Sequence, residues 1–148
     1  MPLGTSSVLF RVPARGLSRA KLRYFARQLQ EYVARELPFC CLITNDEEMQ
    51  ALNKQFLDRD YPTDVLSFPM FGPYGSIGDI AISWDRAKEQ AAEHGHTTEQ
   101  EIRILMLHGV LHLTDMDHEK DQGEMSNAEM QWRKRFKLPI GLIERAGS

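Results

Sequence analysis

The sequence predicts an α+β fold, a single domain in which a mixed sheet of about four strands packs with about five helices. One reason is that short apolar runs are mixed with longer segments whose apolar residues recur at helical spacing. A second is the length of 148 residues, which is that of one ordinary domain, so we expect one domain over 1–148. A third is the apolar segment that begins at Ile102 and leads into three histidines, which places a metal site at the end of a central helix.

Composition and cysteine usage are typical of a soluble globular protein. Hydrophobic residues make up 42% and charged residues 26% of the chain. No apolar run is long enough to span a bilayer and the N-terminus lacks a secretory pattern, so we expect a cytoplasmic protein with no membrane partner. Because Cys40 and Cys41 are adjacent, we predict that they lie on opposite faces of one strand and form no disulfide with each other.

The first half of the chain combines strands with two helices. Ser18 is a favoured N-cap residue, and the apolar residues after it recur at helical spacing up to about Glu36. Asn45 caps a further helix that runs through Gln55, with acidic residues in its first turn, where the helix dipole favours them. The strands that precede these helices are Val8 to Val12 and Phe39 to Thr44, and the inner face of the second helix is formed by Met49, Leu52 and Phe56.

The second half begins with a predicted β-hairpin and continues as three helices. Ser83 caps the first helix, which ends near Gly95 and leaves His94 and His96 as solvated loop residues. Two capping-box patterns mark the starts of the other two helices. The hairpin strands are Thr63 to Phe68 and Gly78 to Ser83, and the capping pairs are Thr98 with Glu101 and Ser126 with Glu129, the last helix running through Phe136.

The central helix carries the residues that point to chemistry. His108 and His112 are four residues apart, so they differ by only ~40° in azimuth and ~6 Å along the helix axis and can face one ion. His118 cannot reach that ion on a continued helix, and we therefore expect a turn near Thr114 to Met116 to bring it back. A lone histidine on an apolar helix is usually structural, but three imidazoles with an open fourth position are typical of a catalytic zinc site.

The spacing of the three histidines is also that of a zinc-protease motif, in which a glutamate follows the first histidine. Here that position is Gly109, so the general base of peptide hydrolysis is missing. The metal ligands are kept, and the glycine leaves room beside the metal. The pattern therefore favours a metal site whose function is not peptide hydrolysis.

Charge is distributed unevenly along the chain. The net charge is -3, which does not by itself indicate a nucleic-acid-binding protein. Between Arg11 and Arg35, however, there are seven basic residues and a single acid, Glu31. This basic segment could steer a polyanion, or it could simply be a solvated helix face.

The residues around the histidines resemble the YbeY-like endoribonucleases, a family of rRNA maturation factors with the signature H-G-x-L-H-L-x-G-[aromatic]-D-H. The stretch from His108 to His118 matches this signature except at Asp115, where the family has glycine, and Met116, where it has an aromatic residue. The resemblance covers roughly Phe39 to Glu129. Further blocks that resemble the family's, in the family's order, are Leu42 to Glu48 followed by Leu52-Asn53, Asp60 to Pro69, and Gly78 to Ser83.

The resemblance implies a metal-dependent, single-strand endoribonuclease that acts in maturation of the 3′ end of small-subunit (16S) rRNA and in ribosome quality control. The partners it implies are single-stranded RNA, including rRNA, and the small ribosomal subunit. The expected cofactor is one Zn²⁺ per chain, although other divalent transition metals accept the same ligands. The ligands would be His108, His112 and His118.

Two further residues are candidates for the catalytic machinery. The family usually carries an arginine where this chain has Leu57, and the nearest cation, Arg59, either substitutes for it or is a surface residue without a role. Asp117 lies next to a ligand and is a candidate hydrogen-bond partner for an imidazole N–H, although a role in the turn is an equal alternative. Asp115 and Glu119 are weaker candidates for moving a proton.

Two other classes of function remain open. A broader metal-dependent hydrolase, including a protease, would cleave protein and not RNA. A ribosome assembly or binding factor would use the metal only for its stability, so that metal would restore folding without any hydrolysis. Sequence alone does not show whether another side chain closes the fourth position of the metal site.

Overall fold

The computed structural model describes residues 4–70, 76–114 and 123–139, and in this part of the chain it has four strands and five helices. None of the described helices has the length and apolar character needed to cross a bilayer. The predicted α+β class is confirmed. In chain order the elements are β1 Ser7–Phe10, α1 Arg19–Tyr32, β2 Phe39–Thr44, α2 Asp46–Leu57, β3 Val65–Pro69, β4 Gly78–Ser83, α3 Trp84–His94, α4 Thr98–Leu113 and α5 Glu124–Arg135.

The four strands form one mixed sheet in the order β1-β2-β4-β3. Strands β1, β2 and β4 are parallel, and their connections include the helices α1 and α2. Strand β3 is antiparallel to β4, with Leu66 opposite Ala81, which confirms the predicted hairpin. Parallel strands need crossover connections, and these place helices on the faces of the sheet.

The main core lies between one face of the sheet and the helices α1 and α4. Cys41 and Ile43 of β2, and Ile80 and Ile82 of β4, point into this core and are almost completely buried. Alternation along β2 leaves Cys40 only partly buried, on the other face of the sheet, as the adjacent cysteines predict. Burying each of these aliphatic side chains contributes roughly 1.5–3 kcal/mol to the free energy of unfolding, so this face of the sheet makes a large contribution to stability.

Helix α4 is the most buried of the described helices, with ten of its sixteen residues buried. A helix that is apolar on nearly all sides must be covered on all sides, here by the sheet and by α1, α3 and α5. Gly109 lies against β4, and a Cβ atom there would come within 2.9 Å of Ile80 Cγ2. The Ser67 hydroxyl of β3 donates to the Gly109 carbonyl at 3.1 Å. Gly109 therefore allows the close approach of α4 to the sheet, which corrects the expectation that it leaves room beside the metal.

The other face of the sheet is only partly covered, by α2. Met49, Leu66 and Ala81 form a small second core there. Phe56, which the helical spacing predicts on the inner face of α2, is 57% exposed because it lies outside this core; its ring meets Phe68 edge-on. A groove of about 420 Å³ is left beside α2, with Leu9, Cys40, Leu42 and Phe56 among its lining residues.

The starts of the last two helices differ from the predicted capping boxes. Helix α4 begins one residue earlier, with a reciprocal box between Thr97 and Gln100. Helix α5 begins at Glu124 after Gly123, so Ser126 lies inside the helix and does not cap it. The glutamates of both predicted boxes, Glu101 and Glu129, are instead buried and paired with histidines.

The two cysteines are predicted to differ sharply in reactivity. Burial, and secondarily the neighbouring Cys40 thiol, raise the pKa of the Cys41 thiol far above its ordinary value. At mildly alkaline pH, we expect an alkylating reagent to add one label per folded chain and two per unfolded chain, counted by mass spectrometry. Cys40→Ser should take no label when folded, whereas rapid double labelling of the folded protein would contradict the burial of Cys41.

The same pKa shift predicts a pH dependence of stability. Above about pH 8.5 the unfolded chain ionises Cys41 while the folded chain keeps it protonated, so the unfolded state binds fewer protons. The free energy of unfolding should therefore fall as pH rises through that range. Urea unfolding of the wild type and of Cys41→Ala, measured at several pH values, would show a shallower decline in the variant.

The close approach at Gly109 predicts a specific coupling. Gly109→Ala should destabilise the fold by about 1–3 kcal/mol, because the new methyl group overlaps Ile80. In an Ile80→Ala background, where the overlapping atoms are removed, the same change should cost much less. Urea unfolding of the four proteins measures this coupling, and an equal cost in both backgrounds would show that α4 does not depend on the contact.

Candidate metal site

The last two turns of α4 bring two predicted ligands together. The ring centroids of His108 and His112 are 4.5 Å apart, and their Nε2 atoms are 2.9 Å apart. Both imidazoles therefore present the same nitrogen to one point, as the spacing of four residues predicts. This is the arrangement by which two imidazoles contact a single ion.

A buried glutamate from the next helix fixes the orientation of His108. Glu129 of α5 is 1% exposed, and its Oε2 lies 2.8 Å from His108 Nδ1. A carboxylate oxygen accepts, so Nδ1 carries the hydrogen and donates it to Glu129. In the neutral ring, Nε2 then keeps its lone pair, and that lone pair faces His112. A carboxylate behind a histidine ligand is the usual way in which proteins hold a metal-binding imidazole.

The described residues fit a metal ion as a partial donor set. Two imidazole nitrogens converge, and the tautomer of the His108 ring is fixed by Glu129. Nitrogen ligands of this kind suit zinc and other divalent transition metals. Within 4–70, 76–114 and 123–139, no cluster of three or more His, Cys, Asp or Glu residues could hold a metal. The predicted third ligand, His118, lies outside the described residues, as do Asp115, Asp117 and Glu119.

Arg59 follows the end of α2 on an exposed stretch. The helix is capped by Asp58, which has the left-handed conformation, and the Arg59 backbone N–H donates to the Asn53 carbonyl at 3.2 Å. Leu57, which stands at the family's arginine position, is 45% exposed. Within the described residues, Arg59 forms no hydrogen bond or ion pair with His108 or His112. Its role in the site stays a prediction.

One of the two histidines predicted to be solvated is buried. His94 is exposed, but the His96 side chain is only 7% exposed and its Nε2 lies 2.5 Å from Glu101 Oε1. The prediction for His96 was wrong because α4 is covered even at its N-terminal end, where the completely buried Glu101 needs a partner. The loop before α4 supplies that partner.

The residue that sequence reasoning missed is Glu129. Its capping-box interpretation used only the spacing from Ser126 and ignored the helix face. Met125, Glu129 and Trp132 recur at offsets of zero, four and seven, so the glutamate occupies a position on the buried stripe of α5. A carboxylate at a core position needs a buried partner, and this was the available signal.

Fold and site together define a class of protein: an α+β domain with a histidine pair at the end of a buried helix, oriented by a glutamate from the following helix. A family model described as Endoribonuclease YbeY matches residues 15–137 of the chain. The chain therefore belongs to the Endoribonuclease YbeY family.

Named relatives resemble the chain over most of its length. It is 55% identical over 143 residues to the Endoribonuclease YbeY of Solibacter usitatus, and the similar region covers 97% of this chain and 96% of that protein. The corresponding protein of Koribacter versatilis is 45% identical over 130 residues, covering 88% and 85%. That of Helicobacter pylori strain J99 is 46% identical over 105 residues, covering 70% and 74%.

A solved structure supports the fold. The solution structure of TM1509 from Thermotoga maritima is similar with a TM-score of 0.61 and 26% sequence identity. The similarity covers 90% of this chain and 92% of that chain. The arrangement of the sheet and of the helices that surround α4 is therefore shared with a protein solved by experiment.

The contact between Glu129 and His108 predicts a definite tautomer. In the wild type we expect the neutral His108 ring to carry its hydrogen on Nδ1, as measured from imidazole ¹⁵N chemical shifts. Glu129→Gln should weaken this preference, because an amide both donates and accepts, and should lower the affinity for Zn²⁺ by about 10- to 100-fold. Glu89→Gln, on the exposed part of α3, is the matched control. An unchanged tautomer and affinity in Glu129→Gln would show that the carboxylate does not orient His108.

Proposed function

We propose that this chain is a metal-dependent, single-strand endoribonuclease that acts in maturation of the 3′ end of 16S rRNA and in ribosome quality control. The observation that carries the proposal is the pair of Nε2 atoms 2.9 Å apart on α4, with Glu129 behind one of them, in a member of the Endoribonuclease YbeY family. Its partners would be single-stranded RNA and the small ribosomal subunit. The cytoplasm is its proposed location, because rRNA matures where ribosomes assemble.

The proposed cofactor is one zinc ion per chain, held by His108 and His112 together with His118. A bound zinc ion would supply a Lewis acid for a phosphodiester oxygen and would lower the pKa of a bound water toward ~7. Nickel, cobalt or iron would accept the same ligands, and copper would bind more tightly. Support for a metal comes from the donor set itself: two convergent imidazoles, one of which has its lone pair directed by a buried carboxylate.

The chain's own residues are proposed to position the substrate and to move protons. Glu129 holds the His108 ring, which is the kind of role first expected of Asp117, so Asp117 is proposed to serve another imidazole of the site. Arg59 is proposed to place positive charge near the scissile phosphate, where charge develops during cleavage. Peptide hydrolysis is not proposed, because Gly109 replaces the catalytic glutamate and packs against Ile80.

His112→Ala is expected to abolish both metal retention and RNA cleavage, because it removes one of the two convergent donors. Elemental analysis of the purified protein and cleavage of a single-stranded RNA, before and after chelation and zinc add-back, provide the measurements. His94→Ala, a change at an exposed histidine, should behave as the wild type. Thermal melting would establish that His112→Ala folds.

The outcomes separate the three classes of function. Wild-type cleavage by a metal-free His112→Ala protein would refute metal-dependent catalysis. If the wild type binds metal and gains thermal stability from it but cleaves no RNA, a ribosome assembly factor with a structural metal is the better description. If it hydrolyses casein and leaves RNA intact, it is a protease.

A further inference from the structure

The solvent face of α1 carries a row of cations. Arg19, Arg23 and Arg27 are four residues apart, so each differs from the next by ~40° in azimuth and ~6 Å along the axis, and all three are exposed. Lys21 adds a fourth exposed cation near the start of the helix. Glu31 is the one acidic residue in the sequence of α1. The helix therefore has a strongly positive outer surface on a chain whose net charge is -3.

These cations are not neutralised by neighbouring acids. Among the residues that the structure describes, the salt bridges of lysine and arginine involve other cations, namely Arg11, Lys54, Arg86 and Arg103. Like charges four residues apart repel one another, and α1 has no acidic residue of its own in its first turn. The Glu99 carboxylate of α4 accepts from the Ser18 backbone N–H at this end of the helix at 3.0 Å, but its ion pair is with Arg103. The charge pattern is therefore unfavourable for the helix itself. A merely solvated face would be expected to mix both signs.

One exposed aromatic ring lies among the cations of α1, and a second lies at the end of the helix beside Arg135. Tyr24 is 59% exposed and Tyr32 is 46% exposed, although both are large side chains on a helix with a well-buried inner face. The Arg135 guanidinium of α5 lies 5.3 Å from the centroid of the Tyr32 ring. Flat rings and guanidinium planes are the groups on which unpaired nucleobases stack, whereas a base-paired duplex offers few free base faces.

Helix α5 connects this surface to the histidine pair. Glu129 contacts His108, and Arg135, six residues and ~9 Å further along the same helix, reaches Tyr32 of α1. Phe136, directly after α5, packs edge-on against Phe25 of α1 at 5.2 Å. A single helix that packs on α4 thus joins the histidine pair to the Tyr32 end of α1, while Arg19 and Arg23 lie over the Phe10 ring of β1.

We propose that this surface, formed by Arg19, Lys21, Arg23, Tyr24, Arg27, Tyr32 and Arg135, is a binding site for single-stranded RNA outside the nucleotides held at the histidine pair. We call it the α1 surface. Its cations contact phosphates, and its tyrosines stack on unpaired bases. The proposal rests on the proposed endoribonuclease function and extends it: substrates long enough to reach α1 bind more tightly than short ones.

The test compares binding of two single-stranded RNAs, of 5 and 20 nucleotides, by fluorescence anisotropy over a range of salt concentrations. For Arg23→Gln/Arg27→Gln, we expect affinity for the longer RNA to fall at least 10-fold. The slope of log K against log salt should become shallower by about 1.4, which corresponds to two lost phosphate contacts on a single strand. Binding and cleavage of the 5-nucleotide RNA should stay at wild-type values. The matched control, Lys54→Gln/Lys88→Gln, removes the same charge from exposed lysines elsewhere.

Tyr24 separates stacking from charge. Tyr24→Ala should lower affinity for the longer RNA by about 5-fold or more without changing the salt slope, and Tyr24→Phe should restore binding because the ring is kept. Circular dichroism would verify that each variant folds; these side chains are exposed and should leave the helix intact. A loss in Tyr24→Phe equal to that in Tyr24→Ala would refute stacking.

The outcomes distinguish the α1 surface from the proposed activity. If the wild type cleaves RNA but the arginine variant binds both RNAs as the wild type does, the α1 surface is refuted and the activity stands. If His112→Ala binds the longer RNA normally and the arginine variant does not, the surface is supported independently of catalysis. If the arginine variant loses affinity for duplex RNA as much as for single-stranded RNA, the assignment to single-stranded RNA is refuted. The same holds if the variant binds single-stranded RNA normally and loses affinity only for anionic lipid vesicles or for an acidic peptide.

Discussion

The structure depends on the burial of α4 against the sheet. The helix can lie this close to β4 because Gly109 has no Cβ to meet Ile80, and Ser67 satisfies the carbonyl at that point. Burial on all sides then requires that every polar side chain on α4 be paired or placed at an edge. Glu101 is paired with His96 at one end, and His108 is paired with Glu129 at the other. The candidate metal site is thus built from the polar groups of the most buried helix.

The same burial explains which features the sequence could predict. The helices, the β3–β4 hairpin and the shared face of His108 and His112 follow from spacing along a single element, and they were predicted correctly. The pairing of Glu129 with His108 joins residues 21 positions apart; local spacing indicates that Glu129 is buried but not which residue it contacts. His96 was misplaced because a polar local sequence does not reveal that the helix beside it is covered at its first turn.

Two other predictions followed a correct local rule but were wrong because of the tertiary packing around the residue. Phe56 lies at the right helical spacing for the inner face of α2, but α2 covers only part of the sheet, and the ring extends past the covered part. The capping box at Glu129 also obeyed its pattern, yet the helix begins earlier and the glutamate is needed in the interior. In both cases the outcome depends on which neighbouring element covers the residue, and this is set by long-range packing.

Positive and negative charges are separated in the fold, and the physical reason is their different cost of burial. Carboxylates are buried where a histidine can donate to them, because a paired, hydrogen-bonded group can leave water at a tolerable cost. The arginines of α1 keep their hydration on the outside, where unpaired charge is inexpensive and attracts a polyanion over a distance of about a Debye length. Helix α5 connects the two environments, since Glu129 lies on its buried stripe and Arg135 contacts Tyr32 of α1. The half-buried histidine pair and the exposed, cationic α1 surface can then be altered independently, because they share a helix but no side chain.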